Sequence, residues 1–382
     1  MLAREVVNLL ARLDDARFEP QPIHHEIEAW DMAGTRVERH VRPPADVLAW
    51  IDLEFGGSWS SEVALGGAWV ARDAAGIAGF AAFDARGLRF TWLRAWSERR
   101  DVGIFGPFGV AERARGTGLG VLLLRAALCS LRERGYGSAL IPAVGGDRLR
   151  AYYEREAGAQ AVERFDLGQL AGVRRAVVLA SGSGSNFQSV ADGARDRTLP
   201  LEVVRLVCNR PRGGAVERAA RAGVPVRVAA WDRANVPRAL YDAEVIDAVA
   251  AAEPDLVLLL GWMHVLPAAF VERFADALNL HPSFLPLDPG ADTVTMPDGS
   301  VEPALRGAHA VDDAFAGGAR WGGASVHRLA VEVDRGAIVA RAPLLRGDGE
   351  DKDAFVQRLH ALEHRVLASA VKRWAYETPR GG

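Results

Sequence analysis

The sequence predicts an α/β protein built from two modules. Three observations carry this. The 382 residues exceed one domain at roughly 150 residues each. The rhythm changes near residue 170, from paired alternating strands to repeated strand–helix–strand units. Each half also holds a glycine-rich turn between an apolar strand and a helix start. The expected division is 1–168 and 174–382, with the second module a parallel sheet covered by helices.

Composition excludes several classes. Hydrophobic residues are 49% and charged residues 25%, which argues against disorder. A net charge of −3 offers no basic surface for nucleic acid or an anionic membrane. Only Lys352 and Lys372 are lysines among the 46 cations, and the arginine excess reads as coding bias. Cys129 and Cys208 cannot form a disulfide framework and suit a reducing compartment. Met1 to Asp15 (MLAREVVNLLARLDD) mixes acids with apolar residues, so it reads as an amphipathic helix and not a signal peptide. The apolar run Leu256–Met263 is too short to cross a membrane. The expectation is a soluble, cytoplasmic protein without nucleic-acid or membrane partners, its oligomeric state open.

The elements follow in order. Ala68–Ala71 and Ile77–Phe83 read as strands joined at Asp73-Ala74-Ala75-Gly76, a hairpin. Val102–Val110 is a strand leading into a glycine-rich turn. Val121–Arg134 has leucines at helical spacing. Ala139–Ala143 is a strand, Leu149–Glu156 a helix, and Phe165–Arg175 the linker. Strands then alternate with helices: Ala176–Ala180, a helix after Asn186, Leu201–Cys208, helix Gly214–Ala222, Val226–Ala229 and helix Leu240–Ala252. Leu256–Leu260, helix Pro267–Phe274 and Ala277–Leu280 complete the rhythm. Leu287–Pro303, rich in Pro, Gly and Asp, reads as an inserted surface loop.

In the first module, Arg115-Gly116-Thr117-Gly118-Leu119-Gly120 lies between a strand and a helix. Such a turn aims backbone N–H groups and the helix dipole at an anion, although glycine also simply ends strands. In the second, Ser181-Gly182-Ser183-Gly184-Ser185-Asn186 opens a helix directly after a strand and suits one phosphate. Asn279 and His281 stand two apart at a strand end, so they share one face while Leu280 faces the core. An amide beside an imidazole can steady a carbonyl oxygen that gains charge. Ser325-Val326-His327 leads to Asp334 in a glycine-containing turn. There a carboxylate could orient His281 or move a proton, or serve as an ordinary turn cap. The histidines are too scattered for a zinc signature, so no metal is expected.

These motifs resemble two families. Gly106 to Gly120 with the following apolar helix, and Ala151-Tyr152-Tyr153-Glu154, resemble GNAT-type N-acetyltransferases over roughly residues 35–165. The resemblance implies a mixed α/β fold and acetyl-CoA or another acyl-CoA held by Arg115, Gly116, Gly118 and Gly120. It also places the backbone of Phe108 and Val110 along the pantetheine arm and makes Tyr153 the acid for the leaving thiolate. The order of motifs over residues 174–376 resembles the glycinamide ribonucleotide formyltransferase family, with a Rossmann-like sheet. That resemblance implies 10-formyl-tetrahydrofolate as donor, held by Trp262, Met263, His264 and Val265. It implies catalysis by Asn279, His281 and Asp334, and acceptor contacts from Gly184, Ser185, Asn186 and Glu363, with His309 as a pocket-wall candidate. His264 stands where that family often has arginine, the 287–303 insertion follows the catalytic strand, and Ala337 replaces a usual proline.

Two functions are therefore expected. One is formyl transfer to the primary amine of a small specialised or phosphorylated acceptor, with a GNAT-like domain that acetylates. The alternative is the housekeeping glycinamide ribonucleotide formyltransferase of purine synthesis, with an acyl-CoA-sensing or structural N-terminal domain.

Overall fold

The structure, a computed structural model, describes residues 5–378. The first half runs β1 (Glu5–Arg12), α1 (Pro20–Met32), β2 (Arg36–His40), α2 (Ala45–Phe55), α3 (Trp59–Val63), β3 (Gly67–Asp73) and β4 (Gly76–Phe83). It continues with α4 (Arg94–Ser97), β5 (Val102–Val110), α5 (Leu119–Glu133), β6 (Ser138–Gly145), α6 (Asp147–Ala157) and β7 (Gln160–Asp166). Its seven strands form one mixed sheet in the order β2-β3-β4-β5-β6-β1-β7. β3 and β4 make the expected hairpin.

The opening segment corrects the helix expected over Met1–Asp15, whose first four residues lie outside the described ones. Glu5–Arg12 is a strand between β6 and β7. Val6, Val7, Leu9 and Ala11 are buried, and the valine pair favours extended backbone. Sheet pairing with strands far along the chain outweighs local helical spacing. The expected linker is also largely structured. Its start ends β7, and Leu167–Ala171 forms α7, capped by the Asp166 side chain on the Gln169 N–H.

The second half runs β8 (Arg174–Ala180), α8 (Ser185–Arg195), β9 (Leu201–Cys208), α9 (Gly214–Arg221), β10 (Val226–Val228), α10 (Arg238–Ala250), β11 (Leu256–Leu260) and α11 (Ala268–Arg273). β12 (Ala277–His281), β13 (Thr293–Thr295), β14 (Val301–Pro303), α12 (Ala310–Ala316), β15 (Trp321–Arg328), β16 (Ile338–Leu345) and α13 (Lys352–Glu377) follow. The sheet order is β10-β9-β8-β11-β12-β15-β16. The first five are parallel, as expected, and β15 and β16 add an antiparallel edge. All five side chains of β11 are buried. Leu258 sits against the face covered by α8, α9 and α13, and Leu259 against that covered by α10 and α11. Truncating Leu258 to alanine would cost about 2–5 kcal/mol. The chain leaves β8 toward β9 and returns on the other side at β11, which makes the β8/β11 gap the switch point where such sheets bind ligands.

The 287–303 segment is not a free surface loop. It contains the β13–β14 hairpin, and its Val294 and Met296 pack with Ala49 of α2, Phe284 and Trp321. Turn residues dominate its composition, so its two apolar anchors were hidden. The halves also meet where Thr91 Oγ1 donates to the Tyr376 carbonyl at 2.7 Å.

Candidate active site

The carboxyl ends of β8, β11 and β12 open into a cleft of about 570 Å³. At the end of β8, Ser181 Oγ accepts the Met263 N–H at 3.2 Å, tying the first loop to the end of β11. Gly184 has φ +78°, and a Cβ there would lie 2.6 Å from the Ala215 backbone. Glycine thus lets α8 start close against α9. The first amides of α8 lack helical partners and face the cleft with a partial positive charge. Asn186 Nδ2 donates to Glu363 of α13 at 2.9 Å. Burial raises the pKa of Glu363.

β12 delivers Asn279 and His281, and β15 sets His327 directly opposite Asn279. Asp334 follows β15 in a turn with φ +54°. Gly336 is required there, because a Cβ would run into the Arg328 carbonyl. Asn279 Nδ2 donates to Asp334 Oδ1 at 3.1 Å and meets His327 Nε2 at 3.1 Å. His327 Nδ1 lies 2.8 Å from the Arg328 carbonyl. A carbonyl only accepts, so Nδ1 holds the hydrogen and Nε2 accepts from Asn279. The Gly307 N–H donates to Asp334 Oδ2 at 2.7 Å.

His281 is only 4% exposed. Its Nε2 lies 2.8 Å from the Leu305 carbonyl, and its Nδ1 faces Asp334 Oδ2 at 3.4 Å. Burial lowers its pKa, more than the Asp334 charge raises it. The uncharged ring therefore carries its hydrogen on Nε2 and presents Nδ1 as the base. Burial pushes the Asp334 carboxyl up. A protonated imidazole at His327 or His281, together with the Gly307 N–H, outweighs that and brings it down to about 2.

Trp262, Met263, His264 and Val265 line the cleft beyond β11. Met263 and Val265 are exposed, and the Trp262 Nε1 hydrogen is buried without an acceptor. An apolar wall with one unanswered donor fits a flat heterocycle bearing acceptor atoms. His264 Nδ1 lies 2.9 Å from the Tyr241 hydroxyl. Its pKa is lowered by burial first, then by Arg238 and Arg233.

His309 corrects an expectation. It stands just before α12 without a capping hydrogen bond from its side chain, and that side chain is 80% exposed, while its neighbours Gly307 and Ala308 line the cleft. Its turn rotates it outward. Lys352 and His360 line the cleft instead. Their signal was the stripe 352, 356, 359, 360 and 363 along α13, which is one helical face.

In the first half, the β5–β6 ladder covers only Val102–Ile104 and Ser138–Leu140. β5 continues to Val110, pairing Phe108 and Val110 with β4 instead. Gly116 and Gly118 turn the backbone at φ +79° and +96°, and α5 starts at Leu119. Tyr152 stacks on Phe108 at 6.4 Å beside Gly120. Its hydroxyl is buried without a partner, and burial raises its pKa to about 12. The parting of β5 from β6 with an orphan hydroxyl beside it fits an extended polar ligand. Tyr153 packs edge-on to Phe105, and burial pushes its hydroxyl well above the ordinary value. Both phenols hold their protons at neutral pH. Sequence reasoning singled out Tyr153 and passed over Tyr152.

Among the described residues, no group of three or more His, Cys, Asp or Glu is arranged to hold a metal ion. No described helix is long and apolar enough to cross a membrane.

Comparisons with known proteins follow this division. The formyl transferase family model matches residues 174–297 and 298–371, just over half of the chain. The acetyltransferase (GNAT) family model matches residues 25–159. Phosphoribosylglycinamide formyltransferase of Mycobacterium tuberculosis is 37% identical over 199 residues, covering 52% of this chain and 83% of its own length. The trifunctional purine biosynthetic protein adenosine-3 of Drosophila melanogaster is 35% identical over 54% of this chain, which spans only 14% of that longer protein. Among solved structures, glycinamide ribonucleotide transformylase 1 from Symbiobacterium toebii is 31% identical, with a TM-score of 0.46, covering 53% of this chain and 88% of that one. The chain belongs to the formyl transferase family, and it carries a GNAT acetyltransferase domain ahead of the formyltransferase part.

Proposed function

We propose that the chain moves the formyl group of 10-formyl-tetrahydrofolate to the primary amine of glycinamide ribonucleotide, with residues 1–168 and 174–382 as its two domains. One observation carries this reading: an amide, an imidazole and a carboxylate, Asn279, His281 and Asp334, cluster within 3.1–3.4 Å contacts in the cleft that also holds a helix-start anion turn. The Mycobacterium tuberculosis relative, named as a phosphoribosylglycinamide formyltransferase, supports this acceptor and favours the housekeeping expectation over a specialised one.

The donor, when bound, supplies an activated formyl group, and Trp262, Met263, His264 and Val265 would hold it. Gly184, Ser185 and Asn186 would take the acceptor phosphate at the start of α8, and Glu363 a sugar hydroxyl. As the amine attacks, charge grows on the formyl oxygen. An Asn279 amide hydrogen released from Asp334 or His327, and His281 once it has taken a proton, offset that charge. The amine proton moves, directly or through water, to His281 Nδ1 beside Asp334. The ionised Asp334 steadies the resulting imidazolium, and the proton is returned to the leaving nitrogen. The test is turnover by His281→Ala. A loss of about 100- to 1000-fold in a folded protein is expected, and unchanged turnover refutes the assignment.

For the first domain we propose acyl-CoA binding between β5 and β6, with Arg115, Gly116, Gly118 and Gly120 around the pyrophosphate and the backbone of Phe108 and Val110 along the pantetheine arm. Tyr153, held protonated, is the acid that an acetyl transfer would use.

A further inference from the structure

Three neighbouring strands align three residues in one row. His281 of β12 lies opposite Ser325 of β15, and Ser325 opposite Arg341 of β16. Residues paired directly across a sheet share a face. Ser325 and Arg341 both grip the turn that follows His281. Ser325 Oγ donates to the Ser283 carbonyl at 2.7 Å and accepts the Leu285 N–H at 2.9 Å. Arg341 Nη1 donates to the Leu285 carbonyl at 2.7 Å, and its guanidinium covers the Phe284 ring at 4.3 Å.

The last anchor comes from the other half of the chain. Arg341 Nε donates to Asp52 Oδ2 of α2 at 2.8 Å, with side chains 4% and 0% exposed. The Arg341 N–H also donates to the Gly57 carbonyl at 3.3 Å. A guanidinium this deeply buried needs its counter-charge. Removing Asp52 would turn Arg341 toward water or draw water inward, and either frees the Leu285 carbonyl.

We propose that Asp52 is a positioning residue for formyl transfer: through Arg341 it fixes the turn Pro282–Pro286 and thereby the ring of His281. The inference rests on the catalytic reading of His281. It gives the N-terminal domain a part in formyl transfer that needs no acyl-CoA chemistry.

The test compares the full-length chain with Asp52→Ala and with the double variant Asp52→Leu/Arg341→Met. The double variant replaces the pair by apolar side chains and so preserves docking and folding. Steady-state formyl transfer and amide hydrogen exchange of Ser283–Leu285 are measured on each. In both variants kcat should fall about 10- to 100-fold, the scale of a small misplacement of a catalytic group. KM for each substrate should stay within about twofold, and exchange at Leu285 should quicken. Wild-type kcat and wild-type exchange in the folded double variant would overturn the proposal and leave Asp52 a plain docking residue. A wild-type chain that transfers no formyl group would instead refute the proposed function. Exchange then decides alone: unchanged protection at Leu285 overturns the positioning role, and lost protection upholds the hold on the turn.

Discussion

Asp334 and Asp52 are both buried aspartates beside basic side chains, and their carboxyls move in opposite directions. Burial pushes each upward. At Asp334 a protonated imidazole and a backbone N–H outweigh burial and bring it to about 2. At Asp52 the charge of Arg341 does not, and the carboxyl rises to about 6. At neutral pH both are ionised, because each value lies below neutral. The contrast separates a site from a joint. Asp334 sits among groups that can pass or steady a proton. Asp52 faces one permanent cation and can only hold it in place.

The largest way to break this contrast is to empty the joint. Asp52→Ala leaves a buried guanidinium unpaired and should destabilise the chain by about 3–5 kcal/mol, read by urea unfolding. A loss below about 1 kcal/mol would mean that solvent already reaches the pair.

Acid and base should next separate the two regions. Asp334 has a folded pKa below its ordinary value. Its contribution is present above pH ~4 and is lost as the pH falls through about 2. Glu62, at the interface near Arg373, behaves oppositely. Burial raises it from 4.5 to about 7. Its contribution is complete below pH 4.5 and is lost as the pH rises through about 7. The melting temperature should therefore decline across that upper range, and Glu62→Gln should flatten the decline. An equal slope in the variant would remove Glu62 from the account.

The smallest effect concerns the first domain. Gly118→Val places a β-branched residue at φ +96° and should weaken acetyl-CoA binding at least tenfold by calorimetry, with formyl transfer unchanged. Absence of any heat from the wild-type chain at millimolar ligand would remove the cofactor reading.

Much of this was legible locally. Val102–Val110, Leu201–Cys208 and Leu256–Leu260 are strands at the expected bounds, because their apolar and β-branched residues are concentrated between polar or turn residues. Asn279 and His281 were legible from spacing alone, since a strand end points both one way. What failed depended on distant partners. Glu5–Arg12 is a strand because β6 and β7 flank it. The β13–β14 hairpin hides two anchors that matter only against Ala49. Arg341 and Asp52 are 289 residues apart, and neither carries a local sign of the other. His327 was seen but not given its task, because its hold on Asn279 depends on the β12–β15 register.

The most direct measurement of the central claim is product analysis after mixing the full-length protein with 10-formyl-tetrahydrofolate and either glycinamide ribonucleotide or its unphosphorylated counterpart. Formylated amine is expected with the phosphorylated acceptor and a much weaker reaction without the phosphate, since the start of α8 would then have no anion to hold. No formylated product from the phosphorylated acceptor, or equal rates with both, would contradict the claim.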